Sequence, residues 1–162
     1  MEKISVPYFE GIEVDLELEA DTPEVREILK RFCELGAEDR LRDSRHVYAC
    51  YRDYRAAVGG EDWLDEEMGV PEKPEEIWRF VTPCSVHITR VHDPDTALYV
   101  EMDADCGWEE EHGLMLVWKN GERLTKVGGY DGHPTNVSAY ADETMHDTVY
   151  AGSDAEASTK LS

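Results

Sequence analysis

The chain has 162 residues, of which 41% are hydrophobic and 33% charged, a composition typical of one folded globular domain. It carries 37 acidic against 16 basic residues, so its formal net charge is -21. A field of this sign repels phosphate groups, which argues against nucleic acids and anionic membrane surfaces as partners and favours a partner with a basic surface. The same acidity is also typical of a highly soluble protein or of a protein adapted to a saline cytoplasm.

The sequence also bears on location. Its first residues lack a basic region followed by an apolar run, so no signal peptide is predicted, and no run of 18 apolar residues predicts a membrane-spanning helix. Four cysteines at positions 33, 50, 84 and 106 form no Cys-x-x-Cys pair of the kind that binds zinc or exchanges thiols. We therefore expect a cytoplasmic protein with reduced thiols.

The first half of the chain predicts one strand and two helices. Residues 12–18 alternate between apolar and acidic side chains, which predicts a strand with one face on a core. Thr22 and Pro23 begin an amphipathic helix that is expected to end near Gly36. A longer helix is predicted from about Asp39 to Val58.

The longer predicted helix carries the one clustered basic surface of an acidic chain. Four arginines repeat along one side of it, at positions Arg42, Arg45, Arg52 and Arg55. They can pair with the protein's own carboxylates and hold the helix to the body, or they can form a site for an anion or an acidic peptide. Both interpretations stay open from the sequence.

From Phe80 onward the hydrophobic period changes to two, which predicts strands. Residues 85–91 and 98–104 predict an antiparallel pair joined by a turn at 93–95. Residues 114–119 and 122–127 predict a hairpin around Asn120 and Gly121, with Trp118 opposite Arg123.

These elements together predict an α+β fold, an antiparallel sheet of about five strands with the two helices of the first half packed on one face. Residues 1–135 are expected to form a single domain. Residues 136–162 are expected to form a polar tail that is frayed or partly helical.

The most unusual stretch is Cys-Gly-Trp-Glu-Glu-Glu-His-Gly-Leu at 106–114, an acidic connector between two predicted strands. The candidate binding residues are Trp108, Glu109, Glu110, Glu111 and His112, with Asp131 and His133 from a later glycine-rich turn. Asp103, Asp105 and the glutamates are oxygen donors that suit a hard cation such as calcium or magnesium. A transition metal would instead use Cys106, His112 and His133, with Asp131 available, which requires that His112 meets the later turn in space. Catalysis by Cys106 is disfavoured, because nearby carboxylates oppose thiolate formation.

Four segments of the chain, at 63–71, 77–78, 106–114 and 126–133, resemble a family of uncharacterised bacterial proteins. Its members share a Trp-Glu/Asp-x-Glu-His-Gly-Leu segment before an Asn/Asp-Gly hairpin, and the resemblance covers roughly residues 40–135. It implies a small α+β bacterial cytoplasmic protein and supplies no catalytic residue. Related small acidic domains often look like immunity partners of toxins, which favours binding by analogy only.

Two functional hypotheses follow. The first is a non-enzymatic acidic binding protein, immunity-like and without a cofactor, whose acidic surface binds a basic protein partner. The alternative is a small metal-binding protein or metal-dependent enzyme centred on His112, His133 and the nearby carboxylates. The oligomeric state is not predicted.

Overall fold

The computed structural model describes residues 2–91 and 96–161. One sheet of eight strands, in the order β1-β2-β3-β4-β5-β6-β7-β8, organises the molecule. The strands are β1 (Glu2–Val6), β2 (Ile12–Glu17), β3 (Val81–Arg90), β4 (Leu98–Cys106), β5 (Glu109–Lys119), β6 (Arg123–Gly129), β7 (Thr148–Tyr150) and β8 (Thr159–Lys160). The helices are α1 (Pro23–Phe32), α2 (Ala37–Ala57), α3 (Leu64–Met68) and α4 (Asn136–Tyr140), with short 3₁₀ helices at Pro7–Phe9, Pro74–Phe80 and Glu143–Met145.

Two neighbouring pairs in the sheet are parallel, β2 with β3 and β6 with β7, and the other neighbours are antiparallel. Parallel neighbours cannot be joined by a tight turn and need a crossover connection. Helices α1, α2 and α3 lie in the connection from β2 to β3, and α4 lies in the connection from β6 to β7. The helices therefore serve as the crossovers of a mixed sheet.

The predicted antiparallel sheet of about five strands with two helices on one face is wrong. The described chain forms one mixed sheet of eight strands with several short helices besides the two predicted ones. Strand β1 escaped prediction because it has only two apolar residues, and β7 and β8 are too short for a period of two to show. The parallel pairing of β2 with β3 joins distant parts of the chain, so no local sequence pattern predicts it.

The strand and the two helices predicted for the first half are present, but α1 ends at Phe32, four residues before the expected end at Gly36. Strand β2 and helices α1 and α2 lie where the periodicity places them. Thr22 caps α1, since its hydroxyl accepts a hydrogen bond from the Val25 amide at 3.2 Å. Gly36 lies directly before α2, and its amide donates to the Asp39 carboxylate at 2.8 Å. The turn predicted at 93–95 lies outside the described residues.

The main core lies on one face of the sheet and is built around aromatic rings. Trp118 of β5 is fully buried, with its ring centre 5.1 Å from Tyr8 and 4.8 Å from Phe32. The opposite face, called the second face below, is covered only in part. A small apolar cluster of Tyr99, Met115 and Val117 is buried there.

No helix in the described ranges has both the length and the apolar character that crossing a bilayer requires.

Candidate functional site

The stretch at 106–114 is a β-hairpin rather than an irregular connector. Strand β4 ends at Cys106, which pairs with Glu109 at the start of β5, so only two residues form the turn. Trp108, in that turn, is 3% exposed and packs edge-on against Tyr51 of α2 with ring centres 5.7 Å apart. Trp108 therefore fixes the hairpin to the long helix instead of presenting a binding surface.

Glu109 has a structural task within this hairpin. Its carboxylate accepts hydrogen bonds from the amides of His112 at 2.6 Å and Gly113 at 3.1 Å, and it lies 3.3 Å from His112 Nδ1. Burial opposes the charge, but these hydrogen bonds outweigh it and lower the pKa of Glu109. Gly113 has φ +74, and a Cβ there would lie 2.7 Å from the Ala104 carbonyl oxygen, so the strand irregularity requires glycine.

Three donors of the hairpin converge. Ligand atoms of Glu109, Glu111 and His112 lie within 4.8 Å of one another, which makes these residues the one such group of His, Cys, Asp or Glu in the described part of the chain. Glu111 and His112 are exposed, and Glu109 is already engaged by the two amides. Glu110 is exposed and lines a shallow neighbouring cleft.

Asp131 and His133 serve a different arrangement. Lys126 of β6 is only 1% exposed, and its ammonium group lies 2.6 and 2.8 Å from the two oxygens of Asp131 and 2.6 Å from the His133 carbonyl oxygen. Burial lowers the pKa of Lys126, although Asp131 acts in the opposite direction. The turn at 131–133 thus holds a buried lysine, and neither Asp131 nor His133 belongs to the group around His112.

The arginine stripe of α2 contacts groups of the chain itself. Arg55 makes two bonds to the Asp65 carboxylate, at 2.7 and 2.6 Å. Arg42 lies 3.2 Å from carboxylate oxygens of both Asp39 and Asp43. The remaining two arginines also have partners: Arg45 donates to the Lys160 carbonyl oxygen at 2.8 Å, and Arg52 stacks over the Tyr48 ring. These contacts favour the structural interpretation of the stripe.

The feature that sequence reasoning missed is a row of carboxylates on the second face. Strand register aligns Asp15 of β2 with Ser85 and Asp103, and Glu17 with His87 and Glu101. Paired residues point to the same side of a sheet, so these side chains share the second face. Glu13 and Asp105 extend the row along the same two strands. We call the six carboxylates the acidic face: Glu13, Asp15, Glu17, Glu101, Asp103 and Asp105.

The acidic face is open over β1 to β4. Glu13, Glu17 and Asp105 are exposed, and Asp15 and Asp103 are half-buried, whereas Glu101 is only 2% exposed and lies beneath the others against His87. The alternation within β2 was visible from the sequence. The sequence pattern did not predict that β4 would lie next but one to β2 in the sheet, with β3 between them. Only the parallel pairing of β2 with β3 brings the two acidic rows together.

Few cations balance the acidic face. Lys3 of β1 lies 2.7 Å from Asp15, and His87 Nε2 lies 2.9 Å from Glu101 Oε2. The hydrogen bond with Glu101 raises the pKa of His87, against the opposing effect of burial.

The surroundings of Asp103 oppose the charged form of its carboxylate. Burial raises its pKa, and Glu101 and Glu17 add to the effect, although His87 acts in the opposite direction. Its Oδ1 atom is buried and has no hydrogen-bond partner among the described residues. The face therefore carries more negative charge than its own neighbours neutralise.

A family model described as "Domain of unknown function (DUF6985)" matches residues 1–134 of the chain. The match confirms the expected resemblance to a family without an assigned function. Comparisons with curated proteins and with solved structures found no significant match.

Proposed function

Because the chain belongs to the family described as Domain of unknown function (DUF6985), a description that names no chemistry, we propose its function from charge and geometry: it is a non-enzymatic, immunity-like binding protein that captures a basic protein partner on its acidic face. The observation that carries this proposal is the register that places Asp15 and Glu17 of β2 on the same face as Asp103 and Asp105 of β4, with only β3 between the two strands. The proposal includes a bacterial cytoplasm as its location, where the four free thiols stay reduced.

The shape of the acidic face suits a protein partner. Neighbouring strands lie about 4.8 Å apart, so carboxylates on β2 and β4 are separated by about 10 Å. Lysine and arginine side chains of a partner can reach between them and pair with several carboxylates at once. Asp103 and Asp105 also line an open cleft beside Glu111 and His112, so the face is broad and open and does not close around a small substrate, which favours binding over catalysis.

The net charge of -21 adds a long-range contribution. A concentrated field of one sign raises the association rate of an oppositely charged partner by about 10- to 1000-fold, and salt removes most of this gain. Rapid, salt-sensitive capture of a cationic protein is therefore the kinetic signature expected of the acidic face.

The test compares two variants that lose equal charge. The face variant carries Glu13→Gln, Glu17→Gln and Asp105→Asn, all at exposed positions of the acidic face. The control variant carries Glu66→Gln, Glu67→Gln and Glu72→Gln, at exposed positions away from it. Both variants have a net charge three units less negative than the wild type, so a purely global electrostatic effect changes them alike.

Captured proteins are identified by mass spectrometry after low-salt affinity purification from cells of the source organism. Association rates of the recovered partner are then measured from 50 mM to 500 mM salt. We expect a basic partner that the control variant retains and the face variant loses. Recovery of no basic protein, or equal losses in both variants, would refute the proposal.

A second candidate function is metal binding, favoured by the convergence of Glu109, Glu111 and His112. These donors would suit a divalent ion such as Zn²⁺ or Mn²⁺. A ligand that binds only the folded chain raises its melting temperature, so divalent ions are expected to raise it in the wild type and not in a His112→Ala variant. An unchanged melting temperature across divalent ions would remove this candidate.

A further inference from the structure

A cavity of about 570 Å³ lies on the second face, beneath the C-terminal segment, and none of the six carboxylates of the acidic face lines it. Tyr99 of β4 and Thr125 of β6 contribute from the sheet, while Val137 of α4, Met145 and Leu161 contribute from the segment above it. Sites for small molecules usually enclose about 300–1,000 Å³, so the volume suits a small organic ligand.

Several polar groups that line the cavity are already used to build it. The Asn136 side-chain amide donates to the carbonyl oxygens of Thr148 and Val149, at 2.8 and 3.0 Å. The Thr135 hydroxyl accepts from the Ser138 amide at 3.0 Å and so caps α4. These groups have little hydrogen-bonding capacity left for a ligand, which leaves a mainly apolar interior.

Lys119, at the end of β5, supplies a cation to the cavity wall. Its side chain is exposed, and no carboxylate of the described residues lies within 4.0 Å of its ammonium group. Glu143 also lines the cavity without pairing with Lys119. The wall thus combines an apolar interior with an unpaired positive charge at its exposed edge.

We propose that this cavity binds a small amphipathic carboxylate, with its apolar body against Tyr99, Val137 and Met145 and its carboxylate at Lys119. An anionic head group at the rim and a hydrocarbon or aromatic body inside match the two kinds of surface that the cavity presents. The site is separate from the acidic face, and it does not depend on capture of a protein partner.

Most of the upper wall lies after residue 134, where the match to the family model ends. Val137, Met145 and Leu161 all belong to this part of the chain. The ligand site is therefore assigned to this chain and not to the family as a whole.

The experiment uses octanoate and octanol as probes, with binding measured by calorimetry on the full chain. Octanoate should bind saturably and more tightly than octanol, because only octanoate can pair with Lys119. In a Lys119→Gln variant, loss of one charge-assisted hydrogen bond should weaken octanoate binding about tenfold and leave octanol binding unchanged. The control is Lys73→Gln, at an exposed lysine outside the cavity, and it should change neither.

A Val137→Trp variant adds a test of the interior, because the larger ring fills space beside α4 and should abolish binding of both probes. Circular dichroism verifies that each variant is folded, and the exposed Lys119→Gln change gives a readout that does not depend on repacking. Absence of saturable octanoate binding, or equal octanoate affinity in the wild type and Lys119→Gln, would overturn the proposal. An equal loss in Lys73→Gln would also overturn it.

Discussion

The ion pair between Lys126 and Asp131 predicts that removing one partner destabilises the folded protein more than removing the other. Lys126 is almost fully buried, with 2% of its side chain exposed, whereas 37% of the Asp131 side chain is exposed. In Asp131→Asn the ammonium group stays buried and loses its direct ion-pair partner, with only the more weakly acting Glu101 carboxylate as a countercharge, which costs about 3 kcal/mol. In Lys126→Met the buried charge is gone and water can solvate the remaining carboxylate, so the expected cost is about 1 kcal/mol.

The assay is equilibrium urea unfolding of both single variants and of the double variant, followed by tryptophan fluorescence. We expect the double variant to be about as stable as Lys126→Met alone, because Asp131→Asn is harmful only while the buried ammonium group is present. The surface change Glu66→Gln is the control and should shift the free energy of unfolding by less than about 0.5 kcal/mol. If Asp131→Asn is the milder single change, the argument from burial is incorrect.

Three further predictions concern stability. Burial, with help from nearby arginines, lowers the pKa of His46 to about 4, so the unfolded chain binds more protons between that value and 6.5. Lowering the pH from 7 to 5 should therefore remove about 2 kcal/mol of the His46 contribution to the free energy of unfolding, while the raised pKa of His87 acts in the opposite direction. In urea titrations at both pH values, the stability difference between the wild type and His46→Gln should change by about 2 kcal/mol. Gly121 has φ +71 and an added Cβ would lie 2.5 Å from the Ile28 carbonyl oxygen. Gly121→Ala should cost about 2 kcal/mol or more in thermal unfolding, whereas Gly128→Ala, with open space around it, should cost less than about 1 kcal/mol. Glu109→Gln should lower stability by about 1 kcal/mol equally with and without a chelator, because its carboxylate serves the His112 amide; a loss seen only when divalent ions are present would contradict that structural role.

Local patterns in the sequence predicted the elements that depend on local forces. Strand β2 shows strict alternation, and α1 shows both a capping threonine and a proline at its first position. These signals arise from neighbours within one turn or two residues, so a single sequence contains them. The strand that pairs with β2 could not be predicted in this way, because the parallel pairing with β3 depends on how the whole helical crossover packs.

At the hairpin around Asn120 and Gly121, the local sequence predicted the position of the turn correctly but not the strand register. Both residues have the positive φ that the dipeptide predicts, at 54° and 71°. The register is nevertheless different, since Lys119 pairs with Arg123 and Trp118 pairs with Leu124. The predicted pairing of Trp118 with Arg123 is therefore wrong. The loop is one residue longer than a two-residue turn, and Glu122 extends toward α1 instead, 3.4 Å from Arg31.

The candidate site was only partly predictable because function depends on burial as well as residue type. The turn at 131–133 was proposed from the sequence as part of a binding site because it contains an aspartate and a histidine. Its main contact is instead Lys126, and no local pattern predicted that this lysine is buried. Acidic residues in β2 and β4 were both visible as alternating strands. Their convergence into the acidic face required the register of three strands.

The parallel pairing of β2 with β3 also bears on how the chain folds. Strands β3 to β6 are consecutive antiparallel neighbours, so they can assemble early from local hairpins. Asp15 and Ser85 are partners across a long segment of chain, and closing a loop of about 70 residues costs about 4 kcal/mol in chain entropy. We therefore expect the β1–β2 hairpin to dock late during folding and to undock first under mild denaturant. Capture of a basic protein would then be reserved for fully folded molecules, since a nascent or damaged chain lacks half of the acidic face.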